Sequence, residues 1–159
     1  MGLLMQFPLT AREAQPLAGL KMSLQKTQPI LIVCESVSDT TRLKAIFRNS
    51  GMPSESVSDV TAGCEMAKSG RYGVVFSTPS AGGKSWRRLI EVASQNNLNF
   101  EIVVLARSFD LNQWGEAMQL GAFDVLDVIR DMPKAAEVAR RALGSSHLKR
   151  FRSRIVSGH

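Results

Sequence analysis

The sequence predicts an α/β fold: a doubly wound, five-stranded parallel sheet of the (βα)5 kind. Three observations predict it. Short unbroken apolar runs recur, as in Ile30-Leu31-Ile32-Val33, and such runs suit parallel strands buried on both faces. Between them lie segments with apolar residues every three to four positions, the spacing of helices that cover a sheet. Glycine or proline stands at several of the junctions, and right-handed crossovers then leave little choice of topology.

Each element can be justified in order. Residues 1–28 carry Pro8 and Pro16 and show no sustained period. They read as an N-terminal extension of a composition that leaves a chain partly disordered, with a weak amphipathic helix over residues 11–20 and an alternative start at Met22. Pro29 to Val33 is the first strand and ends in Cys34-Glu35-Ser36. Ser38 or Asp39 is placed to cap the helix that follows, whose Leu43, Ile46 and Phe47 share a face, and Gly51 closes it. Ser56 to Val60 is a weak edge strand, followed by a short helix over residues 62–69.

The central strand is Tyr72-Gly73-Val74-Val75-Phe76, with Ser77 at its carboxyl end. Open α/β sheets place ligands and chemistry at that end, so Ser77 is the first candidate site residue. Pro79 to Gly83 reads as a loop, and Trp86, Leu89, Ile90 and Ala93 mark the next helix. Glu101 to Ala106 is the fourth strand, Asp110 to Leu120 a helix closed by Gly121, and Val125 to Ile129 the fifth strand. Pro133 suits a helix N-terminus, Ala135, Val138, Ala139 and Leu143 form the last stripe, and Gly144 is expected to end it. The domain is therefore expected over residues 29–143, with 144–159 as a basic C-terminal tail.

Composition limits the function classes. The 159 residues are 44% hydrophobic and 21% charged, enough for one α/β domain and too few for two of ordinary size. Much of the net charge of +6 comes from Lys149, Arg150, Arg152 and Arg154, in a stretch without acids. These four are the candidate contacts for an anionic partner such as nucleic acid, though basic tails also serve solubility. The cysteines, Cys34 and Cys64, have no metal-ligand spacing and both histidines lie near the C-terminus, so no zinc site and no cofactor are expected. No run reaches the ~20 apolar residues of a membrane span, and the apolar start lacks a basic leader region, so a cytoplasmic protein is expected.

Three passages resemble the receiver domain of bacterial two-component response regulators, a chemotaxis-type, flavodoxin-like family. Ile30-Leu31-Ile32-Val33 is similar to that family's first strand, and Tyr72-Gly73-Val74-Val75-Phe76 to its third. Ala117-Met118-Gln119-Leu120-Gly121-Ala122-Phe123-Asp124-Val125-Leu126 is similar to its passage from fourth helix to fifth strand. The resemblance covers about residues 29–143 and implies strand order 2-1-3-4-5. It also implies a phosphoryl-accepting aspartate after the third strand, an acid pair after the first that holds Mg²⁺, a Ser or Thr after the fourth and a Lys after the fifth.

The chain departs from that pattern at nearly every position. Ser77 stands at the acceptor, Cys34 and Glu35 at the acid pair, Ala106 at the Ser/Thr position, and Val128-Ile129 at the Lys-Pro pair. A serine without a neighbouring base is a weak nucleophile, a thiol beside one carboxylate is a poor Mg²⁺ site, and valine offers a phosphoryl group nothing. The expectation is a pseudo-receiver, not an enzyme, that acts in signal transduction through a protein partner or a homodimer. Its interface candidates are Trp114, Asp127, Arg130, Lys134, Glu137, Arg140 and Arg141. Two other readings stay open: a residual phosphorelay acceptor using Ser77 and Glu35, and a nucleic-acid-associated regulator using the tail. Cys34 has no basic neighbour in sequence to activate it and reads as a packed thiol. Gly82-Gly83-Lys84-Ser85 lacks the first glycine of a phosphate-binding loop, because Thr78 stands there, so nucleotide binding is not expected.

Overall fold

A computed structural model describes residues 28–108 and 110–157, with side chains through Arg152. The expected N-terminal extension, its helix and the side chain of Arg154 lie outside the described residues. Strands β1 (Ile30–Val33), β2 (Ser54–Val57), β3 (Val74–Ser77), β4 (Glu101–Ala106) and β5 (Asp124–Asp127) alternate with helices α1 (Val37–Asn49), α2 (Val60–Ala67), α3 (Arg87–Gln95), α4 (Leu111–Leu120) and α5 (Ala135–Ser157). All pairs within this five-stranded sheet are parallel and the order is β2-β1-β3-β4-β5, as the doubly wound reading requires.

The alternation of side chains along the strands divides the core in two. Ile30, Ile32, Val74, Phe76, Val103 and Leu105 face α1 and α5, where Leu43, Phe47, Val138 and Ala139 meet them. Leu31, Val33, Val75, Ile102 and Val104 face the other way, onto Val60, Cys64, Leu89 and Val92 of α2 and α3. Every residue of β1, β3 and β4 is buried, which is why these strands read as unbroken apolar runs. Phe47 and Phe76 meet with ring centroids 5.1 Å apart, tilted by 55°, and tie α1 to the sheet.

Several boundaries differ from expectation. Ser36, not Ser38 or Asp39, caps α1: its hydroxyl accepts the Asp39 N–H at 3.2 Å, which frees the Asp39 side chain for another role. The edge strand lies two residues earlier than its alternating pattern suggested, because Asp59 caps α2 by accepting the Ala62 N–H at 2.7 Å and draws Val60 into the helix. The fifth strand ends at Asp127, whose carboxylate Oδ1 accepts the N–H groups of Ile129 and Arg130 in a turn. The expected loop after β3 contains a small hairpin, Ser80–Ala81 paired with Lys84–Ser85, turning on Gly82 and Gly83 at φ of 65° and 77°. Two consecutive positive φ angles give a hairpin turn rather than a phosphate-binding loop.

Gly144 does not end the last helix. Helix α5 runs on to Ser157, so residues 144–157 of the expected tail continue the last helix of the domain. The ~1 kcal/mol that glycine costs a helix interior is overridden by docking. Glu101, at the start of β4 and 4% exposed, accepts the Ser145 hydroxyl at 2.5 Å and the Lys149 ammonium at 3.0 Å. Ser146 is fully buried and Arg150 Nη2 donates to the Gly70 carbonyl at 3.1 Å. No helix among the described residues is long and apolar enough to cross a membrane.

At the amino ends of the strands, Glu55, Arg71 and Tyr72 form a cluster that fastens the edge strand. Arg71 donates to both carboxylate oxygens of Glu55, at 3.0 and 3.3 Å, and Tyr72 Oη donates to Oε1 at 2.6 Å. The bond from Arg71, then that from Tyr72, holds the Glu55 carboxyl below its ordinary range. Burial, then the bond to Glu55, pushes the Tyr72 phenol up to about 12. The signs differ. The Glu55 contribution to stability is complete above its ordinary unfolded value and is lost as pH falls through the depressed native one. The Tyr72 contribution is complete below the unfolded value and is lost as pH rises through about 12.

Two outcomes test this account. Tyr72 is the only tyrosine, so ultraviolet titration reads it alone: its midpoint is expected near about 12 in the native protein. It should fall toward ~10 in denaturant, and Glu55→Gln should move the native midpoint part of the way down. Lys149→Met, which leaves the buried Glu101 with Ser145 alone, is expected to cost about 1 kcal/mol in denaturant unfolding, a discounted value because Lys149 is half exposed.

Candidate functional site

The carboxyl ends of the strands come together on one side of the sheet. The register sets Val33 beside Ser77, Ser77 beside Val104, and Ala106 beside Asp127. Parallel strands of similar length therefore deliver Cys34, Ser77, Ala106 and Val128 to a common edge, as the resemblance implies. There a cleft of about 380 Å³ is lined by Glu35, Asp39, Thr78, Leu105, Arg107 and Val128 among others.

Its chemistry differs from that of a metal-dependent acceptor. Ser77 is completely buried and its hydroxyl donates to the Thr78 carbonyl at 2.9 Å. The group at the acceptor position is thus withdrawn from solvent and already bonded. Cys34 is 4% exposed and its thiol lies 3.7 Å from the Ser36 carbonyl. Glu35 accepts the Gly82 N–H from the hairpin. Val128 is 3% exposed and belongs to the core on the α1 and α5 side.

Two residues were missed as site residues from sequence. Asp39, in the first turn of α1, is 5% exposed, and Arg107, just past β4, donates to its Oδ2 at 2.5 Å. A buried carboxylate requires a partner, and this guanidinium is the cation that supplies it. Arg107 follows Ala106, so a cation stands next to the position where the resemblance implies a neutral Ser or Thr hydroxyl. The signal in the sequence was the isolated Arg107 after an apolar strand; Asp39 gave none, because it read as a helix cap.

This donor set does not fit Mg²⁺. Of the two carboxylates at the cleft, Glu35 is engaged by the hairpin amide and Asp39 by a guanidinium that already occupies the place of a cation. Among the described residues no three His, Cys, Asp or Glu side chains converge as a metal site.

The remaining candidates separate into different surroundings. Asp127, expected on a polar interface, is 6% exposed because its carboxylate turns inward to the loop that follows β5. Arg130, Lys134, Glu137, Arg140 and Arg141 are exposed on the β5 and α5 face. Arg141 lies 3.6 Å from Asp124 and over the Phe123 ring. Trp114 is 39% exposed on α4, beside Leu111 at 68%, and Ile129 is 64% exposed. Of the anion-contact candidates, Lys149 and Arg150 bond within the fold, whereas Arg152 is exposed.

Removing the guanidinium tests the internal pair. Arg107→Ala leaves Asp39 buried without a cation and is expected to destabilise by about 1–2 kcal/mol, limited by the exposure of Arg107 itself. Asp39→Asn in the same chain should recover much of that loss, giving a coupling of about 1 kcal/mol in a double-mutant cycle of thermal or urea unfolding.

The sequence matches no protein-family model and no curated protein. Solved structures do match in shape. The receiver domain of the Francisella response regulator 1452 superposes with a TM-score of 0.67 at 13% identity, covering 74% of this chain and 97% of that one. A signal receiver domain of an HD domain-containing protein from Pseudomonas fluorescens gives 0.69 at 20% identity, over 79% of this chain and 94% of that one. A response regulator receiver domain protein from Clostridium thermocellum gives 0.66 at 18%, over 76% and 98%. With the five-stranded parallel sheet in the order found here, these likenesses establish that the chain has the fold of a response-regulator receiver domain.

Proposed function

We propose that the protein is a cytoplasmic, non-enzymatic pseudo-receiver, which signals by binding another protein or a second copy of itself without phosphorylation of an aspartate. The observation that carries this reading is the state of the β3 end, where Ser77 is fully buried and hydrogen-bonded to Thr78. A phosphoryl acceptor needs an exposed nucleophile, a metal and a cation that answers the new charge. Here the first is a buried hydroxyl, the second lacks its ligands, and the third is committed to Asp39.

A receiver fold without a phosphoryl switch can still present a surface. The β5 and α5 face offers Arg130, Lys134, Glu137, Arg140 and Arg141, and the neighbouring α4 and β5 end adds exposed Leu111, Trp114 and Ile129. Apolar and aromatic anchors bordered by mixed charge are the composition of a specific protein interface. On this reading the surface is always in its binding-competent form, and regulation rests on the supply of partner.

The test is thermal unfolding with and without Mg²⁺ plus beryllofluoride, an analogue of a phosphorylated aspartate. A ligand that binds only the folded state raises its apparent stability, so the expected result is no change in Tm. A rise of several degrees that requires both metal and analogue would overturn the proposal.

A further inference from the structure

A second cavity adjoins the cleft at Glu35, sharing Pro79 with it, under helix α4 and against the ends of β4 and β5. Its volume is about 200 Å³ and its walls include Trp86, Trp114, Val104, Ala117, Asp110 and Asp127. At ~30 Å³ per water this is room for roughly seven waters, so it suits a compact molecule rather than a chain or a cofactor. Indole and aliphatic side chains make one part of the walls and polar ones, Ser85, Ser108 and Gln113 among them, the other. Trp86 is 6% exposed and held in the core, and Trp114 is 39% exposed on α4.

The charge inside is one-sided. Arg87 and Glu116 also border the cavity and neutralise each other in a salt bridge. Asp110 spends its Oδ1 on the N–H groups of Asn112 and Gln113 that open α4. Asp127 spends its Oδ1 on Ile129 and Arg130, at 2.9 and 3.1 Å, while its Oδ2 has no hydrogen-bond partner among the described residues. Neither Asp110 nor Asp127 is in a salt bridge with a described residue, although Asp127 is 94% buried. Asp127 Oδ2 is not among the polar atoms sealed from solvent without a partner, so a cation that enters the cavity can reach it, and indole faces attract cations more strongly than other side-chain rings do.

We infer that this cavity is a binding site for a small flat organic cation, an amidinium or arylammonium of roughly seven to ten non-hydrogen atoms. The cationic head pairs with Asp127 Oδ2 and the flat body lies against Trp86 and Trp114. The inference stands independently of how the Glu35 cleft is read.

The protein carries its own reporter, since Trp86 and Trp114 are its only tryptophans and both line the cavity. Benzamidine titrated into the full chain is expected to change tryptophan emission saturably, with half-saturation on the order of 0.1–1 mM for so small a ligand. Benzamide, of the same shape without the charge, should bind at least tenfold more weakly. Asp127→Asn keeps an oxygen acceptor for the turn and should erase the difference between the two. An equal response to both compounds, a response that does not saturate, or full affinity in Asp127→Asn would overturn the inference. Trp114→Phe, at a partly exposed position that tolerates change, provides an independent arm with Trp86 still reporting. Several-fold weaker binding supports the site, and unchanged affinity overturns it.

Discussion

The structure depends on one constraint, that β1, β3 and β4 are buried on both faces. No polar side chain fits along such a strand without a partner, so polarity is driven to its two ends. At the amino ends it appears as Glu55 with Arg71 and Tyr72, and as Glu101 with Ser145 and Lys149. At the carboxyl ends it appears as Glu35, Asp39 and Arg107. Each of these groups bonds to another part of the fold, and each therefore fastens a helix or loop to the sheet. The same constraint that hides the strands thus determines where the chain can do anything polar at all.

In the Glu35 cleft the buried acid, Asp39, has its partner built in. A receiver pocket that is rich in acids repels itself until a metal or a proton relieves it. This pocket has fewer acids and carries its own guanidinium, which unlike a lysine or a bound ion is charged at every accessible pH and cannot be washed away. In the function proposed above this pocket has no switch to throw, and the interest moves from the pocket to the outer faces of α4, β5 and α5.

The sheet was legible in the sequence because burial on two faces writes an apolar run that no other element imitates as well. Ile30 to Val33, Val74 to Phe76 and Ile102 to Ala106 all carry it. The edge strands were less legible: β2 is half-buried throughout, and β5 yields its last expected residues to a turn governed by Asp127. Local signals also misled where a distant contact outweighed them. Gly144 reads as a helix stop, yet Glu101, more than forty residues earlier, holds the next turn in place. The ion pair of Asp39 and Arg107 joins residues sixty-eight positions apart, and no spacing rule reaches so far. Cys34, Ser77 and Ala106 could be placed because each ends or follows a legible strand, Val128 was read inside a strand that stops at Asp127, and the pairing of Asp39 with Arg107 is tertiary.

Gly82 gives the hairpin a meaning beyond its two-residue strands. Its N–H holds Glu35 after β1, and a side chain there would meet Asp59 Cβ at 2.4 Å, which pins the loop after β2 as well. The connections following three adjacent strands are thereby stitched at a single residue. A side chain at residue 82 would therefore disturb all three connections together, and not the hairpin alone.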